Sequence, residues 1–194
     1  MTKIKVWDPL VRVFHWSLVG FFAANALIVD DESRLHQWVG YVIVALIAVR
    51  IVWGFVGSHY ARFSSFPPSL SGAVGQMTDI AKRRTPLHKG HTPLGALMIY
   101  NLILAMVVIA LSGYLMTTDA LWGVAWPETL HEAAVTWAEI SVALHIAAVI
   151  FESRRTRINL PRAMVTGYKV VPSEWRTSSC RARGRGPSGS RLCG

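Results

Sequence analysis

The sequence has few cysteines and few charged residues for its length. Its two cysteines, Cys180 and Cys193, both lie close to the C-terminal end of the 194 residues. This excludes a disulfide framework, a cysteine-ligated zinc or iron–sulfur core, and the Cys-x-x-Cys-His motif that attaches haem covalently. Asp, Glu, Lys and Arg make up 16% of the chain, against about 25% in soluble domains. With 52% hydrophobic residues, an ordinary soluble enzyme is not expected.

Four hydrophobic stretches are long enough to cross a bilayer, which takes about 20 residues of helix. They cover residues 14–29, 37–56, 94–116 and 132–151. Each is predicted to be helical, because lipid offers no hydrogen-bond partner to an unpaired backbone group. We therefore predict an all-α, integral membrane four-helix bundle over residues 1–172. Residues 173–194 are predicted to form a disordered basic tail, and residues 69–84 and 159–170 to form short helices at the membrane surface.

The net charge of +9 is unevenly distributed along the chain. Lys and Arg cluster before span one, between spans two and three, and after span four. The other two connections are acidic, with Asp30, Asp31 and Glu32 in one, and Asp119 and Glu128 in the other. This positive-inside pattern predicts a multi-pass membrane protein with both termini cytoplasmic. Membrane topology accounts for the excess of Lys and Arg over Asp and Glu. We therefore expect the protein to be embedded in the lipid bilayer, and we expect no nucleic-acid partner.

Four of the seven histidines lie at two depths of the predicted bundle. His15 begins span one at the cytoplasmic side, whereas His36 and His131 begin spans two and four at the outer side. His145 follows His131 by fourteen residues, which advance about 21 Å and end about 40° short of four full turns. His131 and His145 therefore share one helix face at opposite depths. The depths predict an outer pair, His36 with His131, and an inner pair, His15 with His145.

Two histidines that face each other across a bundle suit the two axial positions of a haem iron. Two haems at different depths would form an electron path through the membrane. Zinc is less suited, because it needs its ligands at one point and the pairs lie about 20 Å apart. Arg50 lies at the inner depth and is expected to bind a propionate of the inner haem, unless it extends to lipid phosphate instead. Gly20, Gly40 and Gly113 would let a flat porphyrin approach a helix.

Other functions remain open from the residues alone. A haem-free membrane anchor or transporter could use the histidines and Glu139, in the middle of span four, to relay protons; Glu139 could instead be hydrogen-bonded to Asn25 or Asn101. The chain could also be the membrane subunit of a larger oxidoreductase. His88 and His91 are expected to be solvated in the cytoplasmic loop, and a place near the inner haem or a quinone pocket is the alternative.

Several segments, in this order and spacing, resemble the bacterial cytochrome b561 family, which includes the b-type cytochrome subunit of nickel–iron hydrogenases. The similarity runs from residue 3 to about residue 172 and is specific in combination. The segments are residues 6–16 (VWDPLVRVFHW), 35–41 (LHQWVGY), 50–57 (RIVWGFVG), 60–63 (YARF), 90–96 (GHTPLGA), 130–132, 144–145 and 159–167 (NLPRAMVTG). The tail from about Arg176 matches nothing in the family.

The resemblance implies a four-helix membrane cytochrome with two non-covalent b haems. Its ligand pattern, one histidine from helix one, one from helix two and two from helix four, corresponds to His15, His36, His131 and His145. The implied function is respiratory electron transport between membrane quinone and a redox partner, such as a periplasmic cytochrome or an oxidoreductase subunit. The compact chain is more similar to the stand-alone or cytochrome-partnered members than to the hydrogenase subunits. Whether the protein is itself an enzyme, a quinone oxidoreductase, stays open.

Overall fold

The computed structural model describes residues 2–84 and 90–171 of the chain. His88 and the predicted tail over residues 173–194 lie outside the described residues. In chain order the elements are β1 (Thr2–Lys5), α1 (Pro9–Leu27), α2 (Arg34–Val56), a 3-10 turn (Phe63–Ser65), α3 (Leu70–Ala81), α4 (Pro93–Met116), a second 3-10 turn (Asp119–Leu121), α5 (Ala125–Thr156), α6 (Leu160–Thr166) and β2 (Tyr168–Val171). Helices α1, α2, α4 and α5 are long and apolar enough to cross a membrane. The predicted four-helix membrane bundle is confirmed.

The membrane helices extend beyond the apolar stretches that predicted them. Helix α1 begins at Pro9, five residues before the predicted start, because the Asp8 carboxylate accepts a hydrogen bond of 2.8 Å from the backbone N–H of Val11. Helix α5 has 32 residues, with Glu128 in its first turn and Arg154 and Arg155 in its last. An acidic first turn and a basic last turn both complement the helix dipole. Capping and charge therefore extend α1 at its start and α5 at both ends beyond the predicted apolar stretches.

The two short helices lie within the predicted segments, but the prediction of helix for residues 168–170 is wrong, because these residues belong to β2. In α3, Leu70 and Val74 are exposed while Ala73 and Gln76 are buried, which gives the helix one apolar face directed outward. The Gln76 side-chain oxygen accepts a hydrogen bond of 3.0 Å from the backbone N–H of Leu94, in the first turn of α4. Helix α3 is thereby attached to the same end of the bundle at which α4 begins.

A two-stranded antiparallel sheet, which the all-α prediction did not include, joins the two ends of the described chain. Strand β1 pairs with β2 so that Lys3 lies opposite Val170 and Lys5 opposite Tyr168. The Gly167 carbonyl accepts hydrogen bonds from the backbone N–H groups of Val6 and Trp7. Gly167 has a φ of +86°, and a Cβ there would lie 2.9 Å from the Trp7 carbonyl oxygen. Its glycine is required on both grounds.

The membrane helices pack as a series rather than as a closed ring. Helix α1 packs on α2, α2 on α4, and α4 closely on α5, whereas α5 stays largely out of close backbone contact with α1 and α2 over their described lengths. The buried cluster that joins the series consists of Ile43, Ile47, Ala105, Met106 and Ala138, from α2, α4 and α5. A space between backbones, which side chains enter, therefore separates α5 from α1 and α2.

Candidate functional site

The outer pair of histidines comes together as predicted. His36 lies in the first turn of α2, where its backbone N–H donates to the Ser33 side-chain oxygen at 3.1 Å and so caps the helix. His131 lies one turn further into α5. The two imidazole rings have centroids 6.3 Å apart and planes inclined at 63°. They face each other across the space between α2 and α5.

The His131 ring is held by α4. Its Nδ1 lies 3.0 Å from the backbone oxygen of Ile109 and 3.2 Å from the hydroxyl oxygen of Ser112. A carbonyl oxygen can only accept, so Nδ1 carries the proton and donates, which leaves Nε2 as the ring nitrogen available to a metal. Sequence reasoning missed Ile109 and Ser112, because neither carries a motif and both reach His131 only through helix packing.

Gly113 contacts His131 directly, so its role differs from the predicted approach to a porphyrin. A Cβ built at this position would lie 3.1 Å from Cε1 and 3.3 Å from Nδ1 of the His131 ring. The other two glycines have open surroundings, since a Cβ at Gly20 or Gly40 would meet nothing within 4 Å. Gly113 therefore makes room for an imidazole, whereas space remains beside Gly20 and Gly40.

Two of the four histidines have a buried ring nitrogen with no hydrogen-bond partner among the described residues. These are Nδ1 of His36 and Nδ1 of His15. Buried polar atoms in proteins are nearly always paired, so each unpaired one needs an explanation. Their positions, on opposite ends of the space beside α5, are where the sequence predicted a bound group.

The inner pair lies on α1 and α5. His15 and His145 are both partly buried in these two helices. The His15 ring also packs edge-on against Trp16, with centroids 5.1 Å apart. Each predicted pair takes one histidine from α5 and the other from α1 or α2.

Arg50 is buried inside the protein, with 4% of its surface exposed, rather than extended to the lipid headgroups. Its guanidinium carbon lies 4.9 Å from the centroid of the Phe63 ring, and Nη1 has no hydrogen-bond partner among the described residues. Phe63 can approach because residue 54 is glycine; a Cβ there would overlap the Phe63 ring. A buried cation with an unpaired donor is a binding position for an anion.

Asp8 joins the start of α1 to the end of α2, close to Arg50. Besides capping α1, its carboxylate accepts hydrogen bonds from Trp53 Nε1 at 3.1 Å and from the Ser58 hydroxyl. Burial alone would raise the pKa of Asp8, but the hydrogen bonds from Ser58, Val11 and Trp53, with the charge of Arg50, hold it below the usual value. Asp8 is therefore ionised at neutral pH, and the sequence analysis did not identify it.

His91 is packed between aromatic rings, so the expectation that it is solvated in a loop is wrong. Its ring centroid lies 4.7 Å from that of Trp7 and 4.3 Å from that of Phe66. Burial lowers the pKa of His91 to about 3, and the nearby charges of Lys169 and Arg50 act in the same direction. Lys169 is itself buried and donates a hydrogen bond of 2.9 Å to the Gly90 carbonyl.

We predict that His91 makes the protein less stable as the pH falls below 6.5. The unfolded chain takes up a proton near pH 6.5, whereas folded His91 stays neutral down to about pH 3, so the unfolded state gains stability between these values. The loss is at most about 1.4 kcal/mol per pH unit. Thermal unfolding in detergent at pH 7 and pH 5 measures this loss of stability. We expect the full loss in wild type and in His59→Phe, which is the control at an exposed histidine, and a smaller loss in His91→Phe. An equal loss in His91→Phe would contradict it.

Asn101 does not pair with Glu139, contrary to one expectation. The Asn101 amide donates to the Ser141 hydroxyl at 2.9 Å and accepts from Trp137 Nε1 at 3.0 Å, which ties α4 to α5 in the middle of the bundle. Glu139 is exposed.

Among the described residues, no group of three or more His, Cys, Asp or Glu side chains is arranged to hold a metal ion, so the histidines occur as pairs.

Comparison with known proteins finds similarity over most of the chain. A family model described as prokaryotic cytochrome b561 matches residues 6–167. Relatives named "Probable Ni/Fe-hydrogenase B-type cytochrome subunit" occur in Rhizobium leguminosarum bv. viciae, with 22% identity over 87% of this chain and 89% of the relative, and in Azotobacter vinelandii, with 22% identity over 89% and 91%. A third, in Cupriavidus necator, is 23% identical over 85% and 86%. No solved structure matches the chain significantly.

Proposed function

Because the chain belongs to the prokaryotic cytochrome b561 family, we propose that it carries electrons across the bacterial inner membrane through two b haems, between the quinone pool and a redox partner protein. Family membership makes it a b-type membrane cytochrome, a haem protein of electron transfer. Beyond this, the proposal assigns His36 and His131 to the outer haem and His15 and His145 to the inner haem.

The spacing of His36 and His131 is the observation that carries the proposal. Two imidazoles on opposite sides of one metal ion have ring centres about 6.4 Å apart, given a metal–nitrogen bond of about 2.05 Å and about 1.15 Å from nitrogen to ring centre. The observed separation is 6.3 Å. This agreement supports coordination of a single iron by both rings.

The surroundings of the histidines also fit a bound porphyrin. The histidines of each pair come from helices with few close backbone contacts between them, α5 on one side and α1 or α2 on the other. Gly20 and Gly40 offer free space on α1 and α2. The buried Nδ1 atoms of His15 and His36 lack a hydrogen-bond partner in the part of the chain that the structure describes, and a bound cofactor next to these rings would account for this. These residues would hold the haems non-covalently, as the absence of a Cys-x-x-Cys-His motif requires.

Arg50 supports the inner site. Its buried guanidinium has an unpaired donor, and a haem propionate is an anion that could accept from it. We assign Arg50 to one propionate of the inner haem.

The two pairs suit transfer through the membrane. Bound haem supplies the one-electron chemistry, and iron with two imidazole ligands favours electron transfer over oxygen binding or substrate chemistry. The fourteen residues from His131 to His145 separate the two sites by about 21 Å, most of the roughly 30 Å hydrocarbon layer. The chain's own part is to hold the ligands at these depths and to exclude water from them.

The orientation follows from charge. The basic connections on the side of His15 and Arg50 support cytoplasmic termini, and the acidic loops support an outward position for His36 and His131. The relatives above are named as hydrogenase subunits, so a hydrogenase is the first partner to test, beside a periplasmic cytochrome. The acidic loops are short, and only a small docking surface is available there.

Haem content tests the proposal. The protein purified in mild detergent is expected to show reduced-minus-oxidised bands typical of b haem, with two haems per chain by pyridine haemochrome assay. A colourless, folded protein would instead support the alternative of a haem-free anchor or proton-relaying transporter subunit. One haem per chain would contradict the two-site assignment.

A further inference from the structure

The outer pair is asymmetric, because only one of its two histidines is held by hydrogen bonds to its ring. His131 Nδ1 is engaged by Ile109 and Ser112 on α4, whereas His36 Nδ1 is buried and has no partner among the described residues. His36 is fixed through its backbone, by the Ser33 cap. The two ligands of one proposed site therefore differ in how firmly their rings are oriented.

We propose that Ser112, Gly113 and the Ile109 carbonyl form a cradle on α4 that orients the His131 imidazole, which makes His131 the anchored ligand of the outer haem and His36 the exchangeable one. This inference rests on the proposed ligation of iron by His131. Ser112 and Gly113 are positioning residues in this scheme, since they act only through the imidazole.

Ser112 is suited to this role by its own hydrogen bonds. It has 1% of its surface exposed, and its hydroxyl lies 2.7 Å from the Val108 carbonyl and 3.1 Å from the Ile109 carbonyl. Because these carbonyls take its only proton, the Ser112 oxygen presents lone pairs to His131 Nδ1. The Nδ1 proton is thus shared between two acceptors, and both of them belong to one turn of α4.

Gly113 completes the cradle through its missing side chain. A Cβ at this position would lie 3.1 Å from His131 Cε1, closer than ordinary van der Waals contact. The ring therefore rests on bare backbone, and any side chain at residue 113 would displace it. Acceptors on one side and backbone below leave the ring a single orientation.

The cradle also affects the electronic properties of the ligand. A hydrogen bond that Nδ1 donates raises the basicity of the imidazole toward a metal at Nε2. A more basic ligand stabilises ferric over ferrous iron and so lowers the reduction potential. We therefore expect Ser112 to keep the potential of the outer haem lower than it would be with Ile109 alone.

The first test measures the reduction potentials of both haems. Ser112→Ala should raise the potential of the outer haem by about 28 mV, a threefold change in its reduction equilibrium, and leave the inner haem unchanged. Ser141→Ala is the matched control, because Ser141 is also buried but contacts Asn101 instead. An unchanged outer potential, or the same shift in the Ser141 variant, would overturn the role of Ser112.

The second test compares haem retention. His36→Ala should keep the outer haem on His131 as a five-coordinate, high-spin centre that binds added imidazole, whereas His131→Ala should lose it. Gly113→Ala should lose the outer haem or make it partly high-spin, while Gly75→Ala, at an open position, should match wild type. Equal losses in the two histidine variants would refute the asymmetry even if wild type binds two haems. Wild type without two haems would refute the proposed function instead.

Discussion

A His131→Ala variant is expected to lose the outer haem and to keep the inner one, so that haem content falls from two per chain to one. Removal of the imidazole takes away the ring that α4 holds through Ile109, and α5 carries no other histidine at that depth. His145→Ala should give the reverse result, with the inner haem lost and the outer one retained.

The measurement combines pyridine haemochrome stoichiometry with low-temperature spectra or electron paramagnetic resonance, which distinguish the two haems. His59→Ala is a suitable control, because His59 is exposed and belongs to neither pair. If His131→Ala lost only the haem that His145→Ala also loses, the division into outer and inner pairs would be wrong. If both variants kept two haems, the histidines would not be the ligands.

An Arg50→Leu variant is expected to make the inner haem at least tenfold harder to reduce, a decrease of about 59 mV or more in its potential. A buried cation stabilises the electron that a nearby haem accepts, and in a low-dielectric interior this effect is large. Leu suits the buried position beside Phe63, so the bundle should still fold. The outer haem, about 20 Å away along the helix axis, should keep its potential.

Redox titration of the variant beside Arg62→Leu provides the check. Arg62 is an exposed arginine close to the same end of the bundle, and its removal should leave both potentials unchanged. Arg50→Lys should preserve most of the wild-type value because it keeps the charge. A shift of both haems by the same amount, or an equal shift in the Arg62 variant, would show that Arg50 does not act on the inner haem.

The sequence was sufficient for the features that follow from helix geometry. Span length predicted the four membrane helices, and the positions of His36 and His131 at the outer starts of two spans predicted that they lie level with each other. The structure brings these two rings to 6.3 Å. Ligation of iron by these rings remains a prediction. The ends of α1 and α5 were less predictable, because Asp8 capping and charged terminal turns extend a helix beyond its apolar residues.

Features that depend on contacts between distant segments were not accessible. Strands β1 and β2 each have four residues, and they pair because the two ends of the described chain lie next to each other. No local sequence pattern predicts them. From the sequence, His91 is a polar residue in a loop. In the structure, it is packed against the rings of Trp7 and Phe66, which are distant in sequence. Ser112 reads as an ordinary small residue of a membrane helix, and only the packing of α4 on α5 gives it a functional neighbour.

The pairing of β1 with β2 has a consequence for the order of biosynthesis. Strand β1 leaves the ribosome first, but its partner is made only after all four membrane helices have been synthesised. During translation the N-terminal segment must therefore wait unpaired at the membrane surface, and Lys169 cannot reach the Gly90 carbonyl until this late stage. Pairing of β1 with β2 therefore requires that all four membrane helices have already been made, and a nascent chain stalled before residue 168 would lack this pairing.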